Sequence, residues 1–254
     1  MYRPRVIPIL LLENNGIVKT IRFNKSNYIG DPINAVKIFN DLKADELVFL
    51  DILATKEKRS ISKNLIQKVA DEANMPFSVG GGIKSLTDIK EIINLGAEKV
   101  IINSHAIENP NFIKEASDSF GSSTIVVSID VKKSFLGKRY IYKKSSKKSM
   151  KICPVEFSKL VEENGAGEIL INSVDNDGTM KGYDFDLISQ VSTNVSIPVV
   201  AAGGAGNYED FTMAIKYSYA SAVAAGSMFV YHGPHNAVLL NYPSKDEIIE
   251  IFNK

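Results

Sequence analysis

Two groups of small and polar residues in this 254-residue chain have the make-up of anion-binding loops. The first is Gly81, Gly82, Asn103 and Ser104; the second is Asp177, Gly178, Gly203, Gly204, Gly226 and Ser227. Glycine lets the backbone approach a ligand and aim its N–H groups at an anion, and a following helix N-terminus strengthens the attraction. Glycines also mark ordinary tight turns, so the residue type alone decides nothing. Placement favours phosphate: each glycine pair is followed, one strand later, by Asn-Ser in the first group and by Gly-Ser in the second. Two such grips suit a ligand with two phosphates, or a scaffold descended from a protein that bound one. Lys19 and Asp51 complete the expected ligand-binding set. His105, His232 and His235 have no cysteine or Glu/His pair at ligand spacing, so neither a metal nor a cofactor is expected.

These loops recur because the chain repeats itself. Pro76-Phe77-Ser78-Val79-Gly80-Gly81-Gly82-Ile83 is echoed by Pro198-Val199-Val200-Ala201-Ala202-Gly203-Gly204-Ala205. At nearly the same offset, 44–50 matches 166–172 and 99–104 matches 222–227. A repeat of this length describes two similar halves rather than a solenoid. Short apolar, mostly β-branched runs predict strands at 5–12, 46–53, 77–80, 99–103, 124–130, 168–173, 198–202 and 222–226. Helix-spaced apolar residues fill 31–43, 60–73, 85–95, 108–119, 154–164, 184–193, 207–217 and 244–253. Asp31-Pro32 and Asn109-Pro110 supply start signals, proline suiting the first turn. Eight alternating units without a linker predict one α/β domain over 1–254, a (β/α)₈ barrel of two half-barrels. Both glycine groups then fall at the C-terminal ends of strands, where barrel active sites sit.

Composition narrows the function. A hydrophobic content of 44% supports a large core, and a net charge of +1 exerts no global pull on nucleic acid or membrane. No apolar run approaches the roughly 18 residues of a membrane span, and Met1-Tyr2-Arg3-Pro4-Arg5 lacks the apolar core of a signal peptide. Cys153 alone cannot build a disulfide framework and suits a reducing cytoplasm. The segment 132–151 breaks the rhythm: nine lysines and arginines surround Tyr140-Ile141-Tyr142, which predicts a hairpin after the fifth strand. It reads either as a solvated basic excursion or as an electrostatic collar for an anionic ligand, since it leaves the barrel at the catalytic end.

At this point a family resemblance emerges. Val79-Gly80-Gly81-Gly82-Ile83, Val100-Ile101-Ile102-Asn103-Ser104, Ser128-Ile129-Asp130, Gly165-Ala166-Gly167-Glu168-Ile169-Leu170, Asp175-Asn176-Asp177-Gly178-Thr179 and Gly203-Gly204-Ala205-Gly206 resemble the cyclase subunit of imidazole glycerol phosphate synthase. The resemblance covers almost the whole chain. It implies a (β/α)₈ barrel that receives ammonia from a separate glutaminase subunit at its N-terminal face. It also implies cleavage and cyclisation of a two-phosphate ribosylated precursor to imidazole glycerol phosphate and an aminoimidazole carboxamide ribotide.

Such chemistry needs an acid and a base on opposite sides of the substrate. The family places one aspartate at the end of the first strand and one at the end of the fifth. Asp130 matches the second, while Leu11 stands at the position of the first. Leucine exchanges no protons, and losing one general acid/base group forfeits roughly 10²–10⁴-fold. Glu13 is near, and is discounted on strand alternation and on its place in the following loop. Asn172 replaces the family's usual threonine and Gly226 its serine. Together with Arg3-Pro4-Arg5-Val6-Ile7-Pro8 and Leu10-Leu11-Leu12, the tail Tyr231-His232-Gly233-Pro234-His235-Asn236-Ala237-Val238-Leu239-Leu240-Asn241-Tyr242-Pro243 resembles the acetamidino-modification branch of the family. Members of that branch accompany a sugar amidotransferase and a glutaminase in surface-sugar biosynthesis.

Arg5, Glu46, Lys99 and Glu168 stand at the first positions of four predicted strands. Charges often mark where a strand meets water. Two of each sign at equal depth can instead close a ring of ion pairs across the N-terminal mouth, and the resemblance implies that these four form the family's ammonia gate. Three readings follow. One is an ammonia-channelling barrel serving acetamidino-sugar biosynthesis with a glutaminase and a sugar amidotransferase. Another is the histidine-pathway cyclase itself, for which Asp51, Asp130, Asp177 and both grips speak. The third is a barrel isomerase on a similar ribotide, which also wants the missing carboxylate and needs no gate.

Overall fold

The computed structural model describes Arg3 to Asn253; Met1, Tyr2 and Lys254, including the start of the segment read above for a leader, lie outside the described residues. Eight parallel strands close on themselves. They are β1 (Arg5–Glu13), β4 (Leu47–Asp51), β5 (Phe77–Gly80), β6 (Lys99–Ile102), β7 (Ile125–Lys133), β10 (Glu168–Ser173), β11 (Val199–Ala202) and β12 (Ala222–Ala225). Each pairs with the next, and β12 returns to β1 with Arg5 opposite Ala222. The expected (β/α)₈ barrel of the α/β class is the observed fold. Its outer ring contains α1 (Pro32–Asp41), α2 (Lys63–Glu72), α3 (Leu86–Asn94), α5 (Asn111–Phe120), α6 (Pro154–Glu163), α7 (Phe185–Ser192), α8 (Tyr208–Lys216) and α9 (Lys245–Asn253).

Alternation along each strand divides the core in two. In β1, Val6, Leu10 and Leu12 pack outward beneath the helices, while Ile7 and Ile9 point into the barrel. The inner layer joins Ile7 to Val48, Ile101, Val126, Leu170, Val200 and the alanines 202, 222 and 224. Phe39, Phe49, Phe211 and Phe229 are fully buried in the outer layer, each side chain contributing about 1.5–3 kcal/mol. The half-barrel repeat extends to the helix caps. Ser85 and Asp88 form a capping box on α3, and Asn207 and Asp210 form its counterpart on α8. Asp31 caps α1, its carboxylate accepting from the N–H groups of Ile33 and Asn34, with Pro32 in the first turn.

Four features depart from expectation. Two short strands, β2 (Gly16–Lys19) and β3 (Asn27–Gly30), extend from β1 as antiparallel additions. The helix expected over 108–119 is two, α4 (Ser104–Glu108) and α5, with Pro110 at the N-cap rather than inside the first turn. The basic segment is a three-stranded meander instead of a simple hairpin, because β7 itself runs on to Lys133 and pairs with β8 (Arg139–Lys143), which pairs with β9 (Lys148–Met150). The tail forms a further hairpin from β13 (Tyr231–His232) and β14 (Ala237–Val238). Among the described residues no helix is long and apolar enough to cross a membrane.

Candidate functional site

A cavity of about 1180 Å³ opens at the C-terminal ends of the strands, and every expected ligand-binding residue borders it. Asp130 forms its floor, buried to 7% exposure near the end of β7. Asn103 Nδ2 donates to one carboxylate oxygen at 3.0 Å and Asn172 Nδ2 to the other at 2.9 Å. Asn172 lies directly opposite Asp130 in the β7–β10 register, so strand pairing alone brings the two together. Burial pushes the Asp130 carboxyl up to about 6, against the opposing pull of the two amides and the Lys144 charge. A carboxyl so held changes its proton near physiological pH.

Lys19 ends β2 and is fully buried, its ammonium donating to the Ile9 carbonyl at 2.5 Å. Burial lowers it to about 8, while Asp177 pulls the other way. Asp177 is in turn raised to about 7 by burial, offset by Lys19, and one of its oxygens has no hydrogen-bond partner. Gly226 adjoins this ammonium: a Cβ there would lie 2.4 Å from Lys19 Nζ. The residue that lacks the family's serine hydroxyl therefore leaves room for a lysine.

The glycines sit where backbone approaches backbone. Gly82, at φ +67°, would place a Cβ 1.9 Å from the Arg59 carbonyl, and Gly204, at φ +125°, would place one 2.2 Å from the Gly182 carbonyl. Ser104 opens the short α4, and Ser227 follows Gly226 in a single 3₁₀ turn. Asp51 borders the cavity, yet its carboxylate is committed to Arg59 at 2.5 Å and to the N–H groups of Leu53 and Ala54. It holds the loop that supports the first grip.

Leu11 lines the cavity, at the position where the resemblance implies an acid/base group. Glu13 lines it too, against the expectation from strand alternation and a loop position. It is the last residue of β1 and shares the pleat parity of Leu11, so alternation brings it to the same face, about 7 Å further along the strand. Across the mouth runs the β2–β3 connection. Arg22 is bound to the carbonyls of Asp175 and Asp177, and Lys144 reaches the Phe23 carbonyl and lies over its ring. The basic meander divides accordingly. Lys133 and Arg139 pair with Asp184 and Lys143 with Glu108, whereas Lys132, Lys144 and Lys147 border the cavity.

At the opposite mouth Arg5, Glu46, Lys99 and Glu168 form a closed circuit. Arg5 pairs with both Glu46 and Glu168, and Lys99 lies 2.9 Å from Glu168 and 3.8 Å from Glu46. Both carboxylates are buried, at 4% and 5% exposure, and Ser78 donates to Glu46 at 2.8 Å. Charges merely marking where strands meet water would not be buried in this way. Glu46 sits one residue before β4 rather than at its start. Burial opposes the charge on Arg5, but Glu168 and Glu46 outweigh it and hold its pKa above the ordinary value.

A (β/α)₈ barrel with a cavity at the C-terminal ends of its strands, a buried aspartate held there by two half-buried asparagines, and a ring of paired charges at its far mouth defines a class of small-molecule barrel. The chain matches the histidine biosynthesis protein family over residues 5–235. A Pseudomonas aeruginosa protein, whose name assigns it provisionally to imidazole glycerol phosphate synthase as subunit hisF2, is 45% identical over 98% of this chain and 99% of its own length. Imidazole glycerol phosphate synthase subunit HisF of Petrotoga mobilis is 43% identical over 91% of this chain and 92% of its own. That of Lachnoclostridium phytofermentans is 45% identical over 91% and 90%. The chain belongs to this family, with the HisF-like cyclase subunits of imidazole glycerol phosphate synthase.

Proposed function

We propose that this chain is the ammonia-receiving barrel of a glutamine-dependent amidotransferase system, docked through its N-terminal face to a glutaminase. One observation carries the reading: the four-residue ring is complete while Leu11 occupies the cavity position that wants a proton-exchanging group. A barrel that conducts ammonia without cyclising a ribotide needs the first and not the second. On this reading the nitrogen passes to a sugar amidotransferase making acetamidino groups, and the phosphate grips hold a phosphorylated ligand or persist from an ancestor. The location is the cytoplasm, where glutamine is abundant and the lone Cys153 stays reduced.

The second reading is the ordinary cyclase of histidine biosynthesis. The names of the relatives speak for it more directly than for the sugar reading. So do the Asp130 cluster, the Lys19–Asp177 pair and the carboxylate of Glu13 at the cavity wall. One experiment separates the two. With the ribotide and ammonium salt, the unmodified chain is expected to turn over at least on the order of 10²-fold more slowly than a cyclase with both carboxylates. Leu11→Asp should recover part of the difference. Turnover at the full rate by the unmodified chain would establish the second reading instead.

A further inference from the structure

Half of the large apolar side chains that stand exposed among the described residues surround one mouth of the barrel. Of twelve among the described residues, Ile21, Tyr28, Phe135, Leu136, Val238 and Leu239 lie on the β2–β3 hairpin, the β7–β8 tip and the tail hairpin. These excursions leave the C-terminal ends of β1, β7 and β12, so topology puts all three on the face that holds the cavity. Phe135 and Leu136 are 104% and 82% exposed on a tip closed by the Ser134 N–H bond to the Lys138 carbonyl. Ile21, Tyr28 and Val238 border a side recess of about 340 Å³ whose inner wall includes Lys19, Thr20 and Gly178, residues that also line the main cavity. Apolar surface gathered at one opening, with polar Asn27 and Asn236 at the same recess, has the make-up of an interface core and its rim.

The three excursions, residues 14–30, 132–151 and 231–243, together carry lysines and arginines but no aspartate or glutamate. Lys25, Lys138, Lys147 and Lys148 are exposed and free of ion pairs among the described residues, unlike Lys133, Arg139 and Lys143. We propose that the C-terminal face is a docking surface for a second protein, with an acidic rim and an apolar projection that enters the recess, and that this protein consumes the ammonia. This rests on the ammonia-conducting reading. The chemistry asks for such a cap, because ammonia released into neutral water gains a proton and ceases to be a nucleophile. The glutaminase occupies the other mouth, so the consumer has only this one.

The experiment uses the full-length chain, its glutaminase and the sugar amidotransferase. Phe135→Asp and Val238→Asp, each at an exposed position outside the cavity machinery, should weaken binding of the amidotransferase by titration calorimetry at least about ten-fold. Product per glutamine should fall with them, added ammonium salt should restore product, and glutamine hydrolysis and melting temperature should hold. Lys138→Glu with Lys148→Glu should weaken binding most at low salt. Unaltered binding and coupling in these variants would overturn the proposal. So would loss of anionic phosphatidylserine vesicles by Phe135→Asp with no effect on the amidotransferase, which would make the face a membrane contact. Failure of the underlying reading looks different: the unmodified chain would then turn over the ribotide alone at the full rate, with its mouth open to substrate.

Discussion

Removing Lys99 separates a working gate from a structural clasp. Lys99→Ala takes one of two cations from the ring, leaving Glu46 and Glu168 to share Arg5. Glu46 keeps the Ser78 hydroxyl as well, so neither carboxylate becomes a lone buried charge. The loss is then that of one charge-assisted hydrogen bond, the 2.9 Å contact to Glu168, worth about 1.5–3 kcal/mol. Arg5→Ala removes two contacts and leaves Lys99 facing both carboxylates, which moves the expected cost toward the 3–5 kcal/mol of a broken buried pair, about twice as much. Urea unfolding reads these differences. The functional arm counts product per glutamine with the glutaminase and the acceptor enzyme present. If the ring serves ammonia, Lys99→Ala should lower that ratio while ammonium salt still supports product. An unchanged ratio alongside the expected loss of stability would reduce the ring to a clasp. Losses below about 0.5 kcal/mol for both variants would refute the electrostatic reasoning itself.

Three further outcomes follow from the cavity. Because Asp130 is raised from 3.8 to about 6, its contribution to stability is complete below pH 4 and is lost as pH rises through 6. Asp130→Asn should therefore flatten the pH 4–6 region of the stability curve, its gain at neutral pH offset by the amide that then faces an Asn103 or Asn172 donor; an unchanged curve would show the carboxyl to be solvated. Gly226→Ser should displace the Lys19 ammonium and weaken inorganic phosphate binding, read by titration calorimetry, whereas undiminished affinity would detach Lys19 from the second grip. In the Leu11→Asp background, Glu13→Gln should leave ribotide turnover unchanged, since Glu13 lies about 7 Å beyond the strand-end position; a large loss would make Glu13 the proton donor.

The barrel was legible because its signals are redundant. The barrel strands are short apolar runs, most helices begin at a capping residue, and the two halves repeat both their glycines and their capping boxes. The positions of the four ring residues were legible for the same reason, but not their depth: a charge at a strand start reads alike whether it meets water or a partner, and only barrel closure brings Arg5 to Glu168. The excursions were hidden by shortness. Asn27–Gly30, Tyr231–His232 and Ala237–Val238 are too brief and mixed in polarity to show alternation, and α4 spans barely more than one turn. In the sequence Asn172 stands out only as a departure from a family pattern. Pairing β7 with β10 in register would have put its amide against Asp130, and carrying the parity of β1 two residues further would have put Glu13 at the cavity.

What the barrel keeps and what it lacks belong to one physical argument. The inner layer is apolar, with the small side chains of Ala202, Ala222 and Ala224 on one side, and such a medium accepts neutral ammonia far more readily than an ammonium ion. A ring of balanced charge at its entrance holds two cations and two anions by mutual pairing and presents no net charge to an uncharged solute. At the far end an acid and a base are needed only if the nitrogen is to be built into a ring there. On the ammonia-conducting reading, Leu11 leaves the cavity to pass the nitrogen on, and it is at that mouth that the chain exposes half of its apolar tips and the lysines without ion pairs among the described residues. On the same reading, Leu11 and the apolar, lysine-bearing mouth go together, because a barrel short of one proton-exchanging group would leave the acceptor chemistry to a partner seated there.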